Sequence, residues 1–289
     1  MSCDPASSEL TVDARGVARL TLQRPQRHNA FDDQLIAQLQ GTLEHLAADR
    51  GVRVVVLQAE GKSFSAGADV AWMARMAQYD HRANLEDAEC LARLMYTLYT
   101  LPKPTVAKVQ GAAIGGGVGL VACCDIAIAS HRASFALSEV RLGLIPAVIG
   151  PFVVRALGER QARRYFLTAE RFDAPTAHSL GLVHEVVTPE ALETRVQGLV
   201  DTLLANGPRA MAAAKAHVQG LGAAIDGAVT KDSAERIAAL RASPEGREGL
   251  AAFLEKRPPR GRFGALPRPA PAQNPRGAGR PPRTRRLRA

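Results

Sequence analysis

The sequence predicts an α/β fold with a mostly helical C-terminal part. Three observations support this class. Short runs rich in β-branched residues recur along the first two-thirds of the chain, as in Val52-Arg-Val-Val-Val-Leu57 and Thr105-Val-Ala-Lys-Val109. Segments with apolar residues three or four apart lie between them, as in Leu35, Leu39, Leu43 and Leu46. Glycine and proline mark the joints. Alternation of strand and helix periods along one chain is the pattern of an α/β domain.

Taken in order, Val17-Ala-Arg-Leu-Thr-Leu22 alternates with a period near two and is a strand, ended at Arg24-Pro25 because proline cannot extend a ladder. The four leucines from Leu35 to Leu46 share one helical face, with Asp32 or Asp33 at its positive end and Gly51 as its stop. Val52–Leu57 is apolar enough for a strand buried on both faces. A helical stretch runs from about Asp69 to Leu101 with a break near Tyr79, closed by Pro102 and Pro104. Thr105–Val109 is the next strand, Gly111–Gly119 is a glycine-rich turn, and Leu120–Cys124 is helical. Ile126-Ala-Ile-Ala129 and Ser134-Phe-Ala-Leu137 are short strands. Helices dominate from about Glu159. One starts at Asp173-Ala-Pro175 and stops at Gly181, one strand lies within Val183–Val187, and Pro189 opens a helix that Asn206-Gly-Pro208 ends. Two or three helices then reach Lys256, with breaks at Leu221-Gly222 and Ser243-Pro244. This divides the chain into a core (1–190), a helical region (191–257) and a tail (258–289).

Composition sets the limits. The 289 residues are 46% hydrophobic, 22% charged and 4% aromatic, enough for one large core and too few aromatics for a base-stacking surface. The formal charge of +9 is matched by nine arginines in residues 258–289, where no acid occurs, so residues 1–257 are formally neutral. That tail is rich in proline, arginine, glycine and alanine and is expected to stay disordered. Four cysteines without a C-x-x-C pair give no zinc or disulfide framework, and the polar N-terminus is not a secretory signal, so a cytoplasmic location is expected. No run of about 18 apolar residues occurs, so no membrane span is expected.

Three segments carry chemistry. Ser63-Phe-Ser-Ala-Gly-Ala-Asp69 places small residues before a helix opening at Asp69, so another molecule can approach the backbone. Gln110-Gly-Ala-Ala-Ile-Gly-Gly-Gly-Val-Gly119 likewise presents unpaired N–H groups at a helix start. Two such ends facing each other would hold an oxygen that gains negative charge. Glu139, in Phe135-Ala-Leu-Ser-Glu-Val-Arg-Leu-Gly-Leu-Ile-Pro146, is the one carboxylate between Asp125 and Glu159. Its apolar setting would raise its pKa toward working pH.

Arg24-Pro-x-x-x-Asn-Ala30, Phe64–Asp69, Gly115-Gly-Gly117 and Ser138-Glu-x-x-x-Gly-x-x-Pro146 resemble, in order and spacing, the signatures of the crotonase (enoyl-CoA hydratase/isomerase) superfamily over roughly residues 10–257. The resemblance implies a spiral of β-β-α turns, a helical C-terminal part that builds trimers, and trimers that pair into hexamers. It implies that the N–H groups of Ala68 and Gly116 bind the thioester oxygen and that Glu139 handles water and proton. Ala66, Asp69, Val70 and Ala71 would line the substrate site, with Ala66 and Val70 at the adenine end of coenzyme A and Arg27 near its phosphates. Coenzyme A is part of the substrate, and no metal or redox cofactor is expected.

Within the superfamily, Ser65–Met76, Cys123-Cys-Asp125 and Ser138–Val148 look most like bacterial methylglutaconyl-CoA hydratases, whose close relatives handle isohexenylglutaconyl-CoA. That implies a place in leucine or acyclic terpene breakdown. One departure stands out. Two-glutamate hydratases carry a second Glu two residues after the triple glycine, and here that residue is Gly119. Gly119 removes an acid and is expected to add space, into which the substrate's own carboxylate, or a water it holds, would bring part of the missing function. Gly150-Pro-Phe-Val-Val also replaces a usual glycine-rich stretch.

Other readings compete. A single acid also suits an enoyl-CoA isomerase, in which a proton moves between carbons and no water is added. Gly117-Val-Gly-Leu-Val-Ala122 fits a dinucleotide-binding fingerprint, but that reading leaves Phe64–Asp69 and Ser138–Pro146 without a role. The basic tail would bind nucleic acid weakly through phosphates; a solvated extension is the favoured reading. Trp72, Met73 and Met76 are expected in the core or pocket wall, Cys123 and Cys124 as buried fillers, and Asp125 as a satisfied structural carboxylate.

Overall fold

The computed structural model describes residues 7–220 and 227–257. The break expected at Leu221-Gly222 and the tail 258–289 lie outside these residues.

Among the described residues, ten strands form two sheets. The larger contains β1 (Ser8–Val12), β2 (Val17–Leu22), β3 (Val54–Ala59), β5 (Thr105–Val109), β7 (Ile126–Ser130) and β10 (Glu185–Val187) in that spatial order. All its pairs are parallel except β1 with β2. The smaller sheet contains β4 (Ser63–Ser65), β6 (Ala112–Ile114), β8 (Ser134–Ala136) and β9 (Phe172–Asp173), the last antiparallel. Successive strands alternate between the sheets: β3 then β4, β5 then β6, β7 then β8. A helical segment follows each pair: α2 (Val70–Met76) with α3 (His81–Thr100), then α4 (Gly116–Cys123), then a 3-10 turn (Glu139–Leu142) with α5 (Gly150–Leu157). This is the β-β-α spiral that the resemblance implied.

Strand β3 shows why the core forms here. Val55 and Leu57 face the main core with Leu20, Leu39 and Phe135, while Val54 and Val56 face a second apolar layer. That layer is closed by Leu192, Val196 and Val200 of α8 (Pro189–Leu204), so both faces of the strand are buried. Leu35, Leu39, Leu43 and Leu46 of α1 (Asp33–Ala48) are all buried, and the Asp32 carboxylate caps that helix through the Leu35 N–H at 2.8 Å.

Several boundaries differ from expectation. Strand β3 begins at Val54, not Val52, and β10 is confined to Glu185–Val187. Strands β1, β4, β6 and β9 were not expected; the last three are only two or three residues long, too short to show a period. Helix α4 starts within the glycine run at Gly116, four residues before Leu120, and α5 precedes the expected helical onset at Glu159. Asp125 is satisfied as expected, with Oδ2 accepting from the Thr105 N–H at 2.8 Å and from Lys215 Nζ at 2.9 Å.

The C-terminal helices fold back on the site region. Helix α10 (Gly227–Ala242) packs along α3, and α11 (Pro244–Leu254) lies against α2 and the Glu139–Leu142 turn. No helix among the described residues is long and apolar enough to cross a membrane.

Candidate active site

The site is built on three turns that leave the small sheet side by side. Strands β4 and β6 run parallel, with Ser65 opposite Ala113, and β8 continues the row with Phe135 opposite Ala113. The chain therefore exits in one direction at Ala66–Asp69, Gly115–Gly116 and Ser138–Glu139.

The first turn is held from below by the Arg24–Ala30 loop. Asn29 is fully buried in left-handed backbone, and its side chain donates to the Glu60 and Ser63 carbonyls at 2.8 and 2.9 Å. The Phe31 N–H donates to the Gly67 carbonyl and the Asp69 N–H to the Phe31 carbonyl, both at 2.7 Å. Asp69 caps α2, its Oδ1 accepting from Ala71 N–H at 2.9 Å and Trp72 N–H at 3.2 Å. Its Oδ2 lies 3.4 Å from Arg27 and 3.8 Å from buried Arg24. The Asp69 carboxylate thus organises the turn, and Arg27 is tethered to it while staying exposed.

The second turn starts helix α4 at Gly115. This residue has a φ of 50°, and an added Cβ would sit 2.9 Å from Glu139 Oε1, so glycine serves both the backbone shape and the approach of the acid. A side chain at Gly117 would strike the Ser65 carbonyl at 2.8 Å, which shows how tightly the two turns abut.

Ala66, Ala68, Asp69, Val70, Ala71, Gly116, Glu139 and Arg27 all line one cavity of about 1040 Å³. Ala66, Val70 and Ala71 are exposed toward solvent, and Ala68 and Gly116 are half-buried. Among the described residues, the N–H groups of Ala68 and Gly116 take no part in the hydrogen bonds that build the two turns. Two donors from separate helix starts therefore border the same space as Glu139.

Glu139 opens its 3-10 turn, with its carbonyl accepting from the Leu144 N–H at 3.1 Å. The carboxyl atom Oε2 is closed off from solvent and has no hydrogen-bond partner among the described residues. Burial without a counter-charge raises its pKa to about 7. The only other carboxylate among the described lining residues is that of Asp69, already engaged in its turn.

Gly119 does not add space, which corrects the expectation. An added Cβ there would lie 2.3 Å from Ile149 Cγ2 and 3.3 Å from Met95 Cε. The volume is filled by Ile149, which also lines the cavity, so an apolar branched side chain stands beside the position of the missing acid.

Sequence reasoning missed the far wall. Ile237, Arg241, Leu250 and Phe253 from α10 and α11 line the cavity, and Gly249 is so close to the Glu139–Leu142 turn that an added Cβ would lie 2.1 Å from the Leu142 carbonyl oxygen. No local motif announces contacts that span a hundred residues. Trp72, Met73 and Met76 are buried and line the cavity wall, as expected.

The family model described as "Enoyl-CoA hydratase/isomerase" matches residues 13–262. The chain is 34% identical over 256 residues to the 2,3-dehydroadipyl-CoA hydratase of Escherichia coli, covering 87% of this chain and 98% of that one. It is 32% identical over 244 residues to the crotonyl-CoA hydratase of Syntrophomonas wolfei, covering 83% and 92%. A solved enoyl-CoA hydratase from Shewanella pealeana aligns with a TM-score of 0.73 and 49% identity, over 88% of this chain and 95% of that one.

Proposed function

The chain belongs to the enoyl-CoA hydratase/isomerase family, and from that membership we propose that it adds water across the C2–C3 double bond of a short branched enoyl-CoA, with 3-methylglutaconyl-CoA or a related glutaconyl-type thioester as substrate. The observation that carries the proposal is the juxtaposition of Glu139 with two uncommitted N–H groups in one cavity.

The chemistry follows from what each group can do. Addition of water to C3 sends electron density onto the thioester oxygen, and the Ala68 and Gly116 N–H groups stabilise that developing enolate. Donors fixed by the backbone need no reorganisation as the charge forms. The Glu139 carboxylate takes a proton from the attacking water, and the same acid returns a proton to C2. A group with a pKa of about 7 gives and takes protons with similar ease near neutrality. Arg27, exposed and tethered at the cavity edge, suits the phosphates of coenzyme A, while Ala66, Val70 and Ala71 offer small surfaces to the adenine end.

Support for a carboxylate-bearing acyl group comes from a relative named for 2,3-dehydroadipyl-CoA, a thioester with a free carboxyl at its far end. A relative named for crotonyl-CoA marks the opposing possibility. The acyl group's own carboxylate, or a water it holds, takes part of the role of a second acid from elsewhere in the cavity, since Ile149 fills the volume beside Gly119 where that acid would reach in. The same observation favours a second reading, isomerisation by one carboxylate. Trimers pairing into hexamers, built through residues 191–257, belong to the same proposal and are checked by light scattering.

The deciding experiment incubates purified protein with crotonyl-CoA and 3-methylglutaconyl-CoA and weighs the products. The expected result is gain of one water, faster with the glutaconyl-type thioester. An unchanged mass with a moved double bond replaces hydration by isomerisation. Equal rates on both thioesters overturn the substrate assignment.

A further inference from the structure

We propose that Ile149 is the specificity residue that limits the size of the substituent on C3 of the acyl chain. The inference rests on reading the cavity as an acyl-CoA site and deepens that reading by naming the side chain that measures the branch.

Ile149 caps the start of α5, where its carbonyl accepts from the Phe152 and Val153 N–H groups, both at 3.1 Å. Its backbone is therefore fixed, and its side chain is seated on α4, with Cγ2 and Cβ in the space that a Cβ on Gly119 would need. Glu139 meets the same helix one turn earlier, its Oε1 lying 2.9 Å from where a Cβ on Gly115 would be. The Gly119 N–H donates to the Gly115 carbonyl at 3.2 Å, so the two contacts stand one helical turn apart, about 5 Å along the axis. The acid and the isoleucine are thus neighbours along α4, and both line the cavity.

What lies behind Ile149 gives it this role. Gly119 and Met95 are buried and do not line the cavity, and Met95 Cε would lie 3.3 Å from a Cβ on Gly119. Glycine leaves a notch in α4 at this step, and Ile149 closes it on the cavity side. A carboxylate that takes a proton from water at C3 and returns one to C2 holds those carbons close to it. A substituent on C3 then comes within reach of the side chain one turn along the helix. A methyl branch asks for little room there. A larger branch needs Ile149 to move, and Ile149 is held by the first turn of α5 on one side and by Gly119 on the other, in a close-packed interior that yields little.

The test compares binding of valeryl-CoA and 3-ethylvaleryl-CoA by titration calorimetry. The two share a main chain, differ only in the group on C3, and have no double bond to hydrate. The wild-type protein should bind 3-ethylvaleryl-CoA about tenfold or more weakly than valeryl-CoA. Ile149→Ala should raise the relative affinity for the branched thioester by about ten- to a hundredfold, the range for a methylene or two in an apolar pocket. Ile149→Ala combined with Gly119→Ala returns a methyl group to the same volume from the helix side and should bring the ratio back toward wild type. The proposal is overturned by a wild-type protein that binds the branched thioester as well as the straight one, by a ratio that Ile149→Ala leaves unmoved, or by a double variant no different from Ile149→Ala. If Ile149→Ala does not fold, Ile149→Val decides, with an expected rise of about two- to fivefold for one methylene, and no rise overturns the assignment. Failure of valeryl-CoA to bind at all overturns the acyl-CoA reading itself. A failed size limit with valeryl-CoA still bound leaves that reading and hydration intact.

Discussion

A carboxyl group enclosed by apolar walls with no cation beside it resists ionisation, and this governs how Glu139 behaves with pH. Its pKa of about 7 predicts that kcat/KM falls as the pH drops below about 7, because the protonated acid cannot accept a proton from water. Replacing Glu139 with Gln should lower kcat by about two to four orders of magnitude; stopped-flow or steady-state absorbance of the enoyl thioester measures this, and a near-normal rate would move the chemistry elsewhere. Stability should respond with the opposite sign. Unfolded glutamate ionises near 4.5, so the folded state, which keeps the proton, loses stability as pH rises from that value through about 7. Glu139→Gln escapes this loss and should melt at a higher temperature than wild type at pH 8, by up to about 3 kcal/mol of stability, with little difference at pH 4. Equal melting temperatures across that range would show that the carboxyl is better solvated than its enclosure suggests.

At the scale of elements, helix α4 explains why a second acid is not simply absent but replaced. The helix is apolar nearly all round, with Gly117, Val118, Gly119, Leu120, Val121 and Cys123 buried, and at Gly119 it takes in the branched chain of Ile149. Gly119→Glu alone should therefore destabilise the protein by about 1–3 kcal/mol or more through overpacking. Gly119→Glu combined with Ile149→Gly should recover part of that loss, a coupling that denaturant titration of the double-mutant cycle would measure. Strictly additive losses would mean that Ile149 does not hold that volume.

The same elements show what a sequence can reveal. Helix α1 and strands β2, β5 and β7 were legible because burial imposes a period on the residues themselves. Strands β4 and β6 were not, since three residues are too few to show a period and their extension comes from pairing with each other. The start of α5 was hidden because Gly150-Pro151 resembles a loop, although proline suits a first helical turn. Glu139, Ala68 and Gly116 were readable because each sits within a motif of its own. Ile149 and Arg241 were not, because their roles arise from contacts 30 and more than 100 residues distant in sequence.

The whole molecule divides the cavity between two stretches of chain. The turns that carry Ala68, Gly116 and Glu139 come from residues before 150, while part of the far wall comes from Ile237, Arg241, Leu250 and Phe253. Helices α10 and α11 are joined to the rest through the Asp87–Arg241 pair, 2.7 Å long and buried, and through backbone contact between Gly249 and Leu142. Breaking the buried pair by Asp87→Ala should cost about 3–5 kcal/mol, since it strands a charge without a counterpart. Thermal melting checks this, and a loss below 1 kcal/mol would mean that α10 is held mainly by its apolar face.

The close seating of Gly249 on the Leu142 carbonyl means that α11 meets the Glu139–Leu142 turn at a backbone atom, not at a particular side chain. Every relative has a carbonyl at that step of the chain, whatever its side chain. Grafting 227–257 from a dehydroadipyl-CoA hydratase should therefore carry acyl-length preference into this protein while its grip on the thioester stays native. Selectivity, on this view, is an exchangeable part.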